Sequence, residues 1–485
     1  MQSQFGLVFL TSFLSIPLKS WSKMLPINSR SEPDLFTVSL KKVIDLEHPL
    51  VKLAALIDWD AIRQEIEPVF CDDNGRPATD VRIVMGLFYL KSAFDQSDEQ
   101  LIQRWIENPY WQWFCGYTVM QHKPPIDPTT LSRWRSRLGA ERLEILLQQT
   151  IQVARRTGQL RKPQLEKINV DTTVQPKAIA FPTDARLYFK AARSLVRLAQ
   201  NAGVVLRRSY KFTNKTLLVM QGRYARAKHY RRARKCERKL RTHLGCLLRD
   251  VSRKLTSLTN QTHREALEQL LTIVRQIFKQ QRTDSPKIYS VHEPHVECIA
   301  KGKAHKKYEF GCKVSVATTN ANNFIVGVLA LHGNPFDGHT LQQTMDQVVK
   351  LTKVEPEHIM VDRGYRGHGY QGSGKVHLAG RIPKIATRAF RKMLKRRSAI
   401  EPTIGHLKND HRMERNYLKG REGDRINALV SAIGYNLRKL LAGLACAWFL
   451  PVLALDRLNG KLKSRLYQFI LPGQNPNTWP FLISP

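Results

Sequence analysis

Acidic residues are scarce in this chain. Only 40 Asp and Glu stand against 78 Lys and Arg, a net charge of +38 over 485 residues. An excess of that size is more than solubility requires. It draws polyanions and speeds their capture, so nucleic acid is the expected partner, ahead of acidic membrane surfaces or ribosome-like assemblies. Cysteine is sparse and poorly arranged for cross-linking. The seven residues Cys71, Cys115, Cys236, Cys246, Cys298, Cys312 and Cys446 include no pair at CxxC spacing. The odd count and the length exclude a disulfide framework and fit a reducing cytosol. Cys236, His243 and Cys246 lack an obvious fourth ligand and read as helix residues rather than a zinc site. Long apolar runs are missing as well. Phe5 to Ile16 has neither a basic flank nor an Ala-x-Ala-like cleavage site, so it reads as an overextended start rather than a signal. The uncharged run Leu440 to Leu455 spans 16 residues, is interrupted by Pro451, and is short for a membrane span. It reads as a buried or interface helix, with no membrane partner implied. Repeats and low-complexity segments are absent.

What remains is ordinary globular material, 42% hydrophobic and 24% charged. The length implies two or three domains. Residues 1–45 form a poorly patterned leader, 46–145 a helical N-terminal domain expected to bind DNA, 165–445 a catalytic domain, and 446–485 a C-terminal tail. In the first domain, Val81, Val84, Met85, Phe88 and Tyr89 fall at helical spacing within Asp80 to Phe94. Asp127 is placed to cap a helix that opens with Pro128. That helix carries Arg133, Arg135 and Arg137, which suit either DNA contact or a solvated packing helix.

After Leu165 the pattern changes to β-branched alternation. Lys167 to Val174 reads as a strand. A helical insertion follows over about 182–282, with Thr183 as its first cap and Gly203 as the stop of its first helix. Between Arg207 and Lys254 there are 17 Lys or Arg, among them Arg231 and Arg232, against the two acids Glu237 and Asp250. Tyr210, Phe212, Tyr224 and Tyr230 are interleaved, so the stretch suits phosphate contact with base stacking. A merely solvated helical face of that charge would repel itself. Strands are then expected at Lys287 to Val291, Glu309 to Ala317 and Phe324 to Leu331, the last two joined by a hairpin loop over Thr319 to Asn323. A helix over Thr340 to Leu351, a short strand over His358 to Val361, a strand over Val376 to Ile382, and helices over 387–412 and 424–445 complete the order. With the insertion set aside, this is the element order of an α/β ribonuclease-H-like fold, a mixed sheet with helices on its faces.

Such a fold places carboxylates at strand ends. Phosphodiester cleavage and joining are in-line displacements that two metal ions about 4 Å apart can promote, and hard Mg²⁺ prefers carboxylate oxygen. Asp171 is expected to end the first strand. Asp362 ends Ile359-Met360-Val361 and opens Asp362-Arg363-Gly364-Tyr365-Arg366-Gly367, whose glycines permit tight bends and whose Arg363 and Arg366 suit phosphate. Glu401 shares one helical face with Arg397 and Lys408. Two bland readings compete for Glu401: a surface ion-pair ladder, and a capping box with Ser398. Pro402 requires a kink, or a helix that restarts near Ser398.

These residues resemble the DDE-type insertion-sequence transposases, in the group written "IS five", over roughly residues 45–445. The likeness rests on Leu50 to Leu53, Trp105 to Gly116, Val170 to Val174, Lys287 to Phe310, Phe336 to Thr340 and the Asp362 to Gly367 block. A Tyr-x2-Arg-x3-Glu-x6-Lys signature is matched by Arg397, Glu401 and Lys408, while Leu394 departs at the Tyr position. The resemblance implies catalytic, metal-holding Asp171, Asp362 and Glu401, with Mg²⁺ or Mn²⁺ as a pair of ions. It implies cleavage and strand transfer at the element's own terminal inverted repeats and into target DNA, by a homodimer on double-stranded DNA in the cytoplasm, at the nucleoid. Arg397, Lys408, Arg363, Arg366, Arg133, Arg135, Arg231 and Arg232 are the candidate DNA contacts. The alternatives are a catalytically silent DNA-binding protein derived from a transposase, and a nuclease that does not join strands.

Overall fold

The computed structural model describes residues 38–69, 79–256, 258–281, 283–300, 307–380 and 387–456, with side chains up to Cys446. The described residues form two compact units, one made of those up to 162 together with those from 433 onward, the other of those within 163–432.

The first unit is helical, and short polar caps set its helix starts. Asp58, Asp80, Ser97, Asn108 and Asp127 each accept a backbone N–H in the first turn of the helix that follows. Ser97 and Gln100 form a reciprocal capping box. Helix Val81–Phe94 is buried almost throughout because Trp59, Tyr89 and Phe114 pack edge-to-face around it. The long helix Pro128–Arg156 starts on Asp127 as expected and breaks at Gly139, whose φ of 67° and ψ of −179° are open to glycine. The apolar run near the C-terminus continues the helix Gly420–Asp456. Among the described residues no helix is long and apolar enough to cross a membrane. The leader as far as residue 37 and the tail beyond 456 lie outside the described residues.

The second unit holds one six-stranded sheet: β1 Lys167–Pro176, β2 Glu297–Ala300, β3 Tyr308–Thr319, β4 Ile325–Leu331, β5 His358–Val361 and β6 Lys375–Leu378. β3 lies between β1 on one side and β2 and β4 on the other, all antiparallel to it, while β5 and then β6 extend the sheet in parallel beyond β1. Apart from β2, the order β4-β3-β1-β5-β6 is the ribonuclease-H-like arrangement, with three antiparallel strands followed by two parallel ones. Helix Leu341–Thr352 supplies the crossover into β5 and packs on β4: the side chain of Gln347 accepts the backbone N–H of Val328.

The insertion builds its own core. Helices Asp184–Asn201, Tyr230–Lys254 and Gln261–Lys279 bury Leu195, Leu244, Leu271 and Val274 against one another. Thr183 caps the first helix, and Gly203 follows its end with φ of 73°. The expected strand at Lys287 to Val291 is not formed, and this segment is irregular. Its alternation has another cause. Ile288 and Val291 pack on the helical core, and the Gln280 side chain accepts the Ile288 N–H at 3.0 Å and donates to its carbonyl at 3.1 Å. A side-chain amide takes the place of a neighbouring strand. The expected strand over Val376 to Ile382 is β6, which ends at Leu378; positions 381 and 382 lie outside the described residues.

Candidate active site

The parallel register of β1 and β5 brings the first two carboxylates together. Ile168 pairs with Ile359 and Asn169 with Met360. Extending that register two residues sets Asp171 beside Asp362, on adjacent strands and the same face. Asp171 lies within β1 rather than at its end, because pairing with β3 continues as far as Pro176, and its carboxylate accepts the Thr172 N–H at 2.8 Å. Asp362 accepts the Gly364 N–H at 2.9 Å and so caps the short turn Arg363–Tyr365. Space is tight at Gly364. A Cβ there would lie 3.0 Å from Asp362 Oδ1 and 3.2 Å from Asp337 Oδ2.

Glu401 arrives on the helix Ile400–Asp410. A 3-10 turn over Arg396–Ala399 breaks the preceding helix, so the restart reading holds. Pro402 then lies in a first turn, where an N–H has no helical acceptor to lose. The capping box does not form. Ser398 Oγ donates instead to the Lys395 carbonyl at 3.1 Å, and Glu401 is mostly exposed. Arg397 turns inward and bridges the site, with one guanidinium nitrogen 3.6 Å from Asp171 and another 3.3 Å from Glu401.

The electrostatics follow from this crowding. Burial and the nearby charge of Asp362 push the Asp171 pKa up to about 6, against the opposing pull of the Thr172 N–H and Arg397. Tyr365 is fully buried, and its hydroxyl makes no hydrogen bond within 3.5 Å. Burial, with the charges of Asp171 and Asp337, raises its pKa and keeps it a proton donor. Elsewhere in the unit Cys312, His332 and Asp424 bring their possible ligand atoms within 4.8 Å of one another. The Cys312 group is already committed: Lys177 and Asn416 occupy Asp424 at 2.9 and 2.7 Å, and burial raises the Cys312 thiol.

Residues outside the sequence motif hold the Glu401 segment against β1. Asn169, fully buried, donates to the Arg396 carbonyl at 3.1 Å and accepts from Asn320 at 2.7 Å. Asn320 also reaches the Met393 carbonyl, and the Arg396 guanidinium donates to the carbonyls of Asn320 and Ala321. Phe390 packs edge-on to His358 and His377 of β5 and β6. Sequence reasoning missed this brace. The signal that marks it is an asparagine between the apolar Ile168 and Val170 in a buried stretch of strand.

The candidate DNA contacts separate by exposure. Arg133, Arg231, Arg232, Arg363 and Arg366 are exposed, and Lys408 is half-buried. Arg135 is buried and doubly bonded to Asp98, at 3.0 and 2.5 Å, in a cluster that also takes Lys91. That ion pair ties helix Asp98–Glu107 to helix Pro128–Arg156, so Arg135 is corrected from a DNA contact to an internal clamp. Exposed Phe212 and Tyr230 lie among the insertion's cations, with Lys211 over Phe212 and Arg232 over Tyr224. His243 stacks on Tyr210 and bonds Asn214, and Cys236 is buried beside the helical core.

Comparison with known proteins places two family profiles on the chain. "Transposase domain (DUF772)" matches residues 38–137, and "Transposase DDE domain" matches residues 282–437. The second stretch contains Asp362 and Glu401. Asp171 and the basic insertion lie outside both. A protein of Rhizobium meliloti named "Uncharacterized protein ORF8 in nfe locus" is 47% identical over 202 residues, 42% of this chain and 97% of that protein. No solved structure matches the chain.

Proposed function

The chain belongs to the DDE-type insertion-sequence transposases, and on that premise we propose that Asp171, Asp362 and Glu401 form a metal-dependent centre for DNA strand cleavage and strand transfer. The observation that carries the reading is the adjacency of Asp171 and Asp362 across β1 and β5, with Arg397 between Asp171 and Glu401. A half-buried Asp171 whose pKa is raised by burial and by the charge of Asp362 belongs to a site that favours added positive charge. The donors are all hard oxygen, which suits Mg²⁺ or Mn²⁺, and a pair of ions would serve the in-line displacement. Bound there, such ions would neutralise charge on the phosphate and activate the attacking and leaving oxygens.

The chain's own groups do the rest. Asp171 and Asp362 would hold cations from the rigid sheet, and Glu401 from the helix that Asn169 and Arg396 brace. Arg397 and Lys408 would orient the phosphate to be cut, with Arg363 and Arg366 meeting the backbone on the other side of Asp362. Arg133 in the N-terminal unit and Arg231 and Arg232 in the insertion would hold flanking duplex, supporting binding of the terminal inverted repeats and of target DNA. A dimer on paired DNA ends would complete the reaction.

The test is a cleavage assay on DNA carrying the element's ends, with Mg²⁺ or Mn²⁺. Asp171→Ala, Asp362→Ala and Glu401→Ala should each lose nicking and joining while binding the same DNA. Wild-type levels of cutting by these variants would refute the assignment. An intact wild-type protein that binds DNA but never nicks it would identify the silent DNA-binding protein instead. Nicking without transfer into plasmid DNA would identify a nuclease. The double variant Arg231→Glu, Arg232→Glu should weaken DNA binding and flatten its salt dependence.

A further inference from the structure

Asp337 is an acid beside this site that the catalytic motif does not use. It opens the 3-10 turn Asp337–Thr340 before helix Leu341–Thr352. Its two oxygens have different surroundings. Oδ1 accepts from Thr172 Oγ1 at 2.9 Å and from Lys313 Nζ at 2.9 Å. Thr172 is the neighbour of Asp171 on β1, and Lys313 lies on β3, so this oxygen is pinned to the sheet. Oδ2 faces the other way and borders Gly364 together with Asp362 Oδ1, at 3.2 and 3.0 Å from where a Cβ would stand. A side chain there would fill the gap between the two carboxylates.

A second observation is independent of the acids. Tyr365, next to Gly364, is completely buried, and its hydroxyl is without a hydrogen-bond partner within 3.5 Å. Its polar neighbours are the carboxylates of Asp171, Asp337 and Asp362 and the side chain of Thr340, whose hydroxyl donates to the Asp337 carbonyl at 2.7 Å. A buried hydroxyl left unpaired is costly. A ligand occupying the space among these carboxylates would bring oxygen within its reach.

We propose that Asp337 is a fourth carboxylate of the cation site, clamped through Oδ1 by Lys313 and Thr172 and offering Oδ2, beside Asp362, to the divalent ion. This rests on the reading of Asp171, Asp362 and Glu401 as that site. The clamp has a physical purpose. A carboxylate fixed by two donors presents its free oxygen in one direction and loses little freedom on binding. Lys313 also offsets one of the negative charges that would otherwise crowd the metal-free site.

The experiment titrates Mn²⁺ into the full-length protein without DNA, following free Mn²⁺ by electron paramagnetic resonance. The variants are Asp337→Asn, with Asp171→Asn as the control for the main site. Asparagine keeps the carbonyl oxygen that Thr172 and Lys313 engage and removes only the charge. Affinity should fall by about tenfold or more for Asp337→Asn. An affinity within twofold of wild type, with the Asp171→Asn control weakened, overturns the role of Asp337 and leaves the main site standing. Unchanged affinity in both variants overturns both. Asp337→Ser, whose hydroxyl is still able to meet Thr172, carries the same expectation if the asparagine variant fails to fold.

Discussion

Replacing Asp171 with asparagine should stabilise the metal-free protein at neutral pH. The folded structure raises the Asp171 pKa from the ordinary value of 3.8 to about 6, chiefly through burial and secondly through the charge of Asp362. An acid with a raised folded pKa lends its full stability below its unfolded pKa and loses it as pH rises through the folded one. The relevant window therefore runs from about pH 4 to pH 6. Above it, the ionised carboxylate costs the fold up to about 3 kcal/mol. Asparagine can still accept the Thr172 N–H, but it gives Arg397 no charge at 3.6 Å, so a net gain of roughly 1–3 kcal/mol is expected above pH 7. At about 2–4 °C per kcal/mol, the shift in midpoint is readily measured. The assay is thermal unfolding in chelator from pH 5 to pH 8, with wild type and variant side by side. The advantage of Asp171→Asn should grow with pH up to about 7 and then level off. Added Mn²⁺ should shrink or reverse it, because a bound ion stabilises only the protein that binds it. A variant less stable than wild type throughout, or a gap that does not change with pH, would refute the electrostatic account.

Three further outcomes follow from the same geometry. Lys177 is buried and bonded to Asp424 at 2.9 Å and to the Gly420 carbonyl at 3.0 Å, with Glu293 at 3.5 Å. Lys177→Met should cost about 3–5 kcal/mol by stranding two buried carboxylates, measurable by denaturant unfolding; a loss below about 1 kcal/mol would contradict it. Gly364→Ala should reduce strand cleavage sharply with little effect on DNA affinity, since the new methyl meets Asp362 Oδ1 at 3.0 Å; full activity in the cleavage assay would show that the gap between the carboxylates is not needed. Asn169→Leu should cost about 1–3 kcal/mol through the orphaned Arg396 carbonyl and Asn320 amide, and should lower the cleavage rate more than DNA binding; equal losses in both assays would place its effect outside the Glu401 brace.

Much of this architecture could be read in advance, and the reasons are local. Helix starts at Ser97, Asp127 and Thr183 follow from side chains that cap the backbone a few residues away. β1, β3, β4 and β5 show through apolar and β-branched runs bounded by turn residues. Lys287 to Val291 misled for an instructive reason: its alternation is real, yet its backbone partner is the side chain of Gln280. Arg135 misled because its sequence neighbourhood is basic while its partner Asp98 is 37 residues away.

The sequence by itself determined the positive charge and the order of most elements, and it singled out three carboxylates as candidates, because composition, periodicity and motif spacing are properties of neighbouring residues. Only the tertiary structure decided which groups share the site with them. The parallel register of β1 and β5 sets Asp171 beside Asp362. The Asn169, Asn320 and Arg396 network carries Glu401 to the same edge of the sheet. Asp337 reaches that edge from the far end of a hairpin, 165 residues from the Thr172 hydroxyl that holds it. Contacts between residues so distant along the chain leave no periodic trace, since strand pairing and not local propensity brings them together.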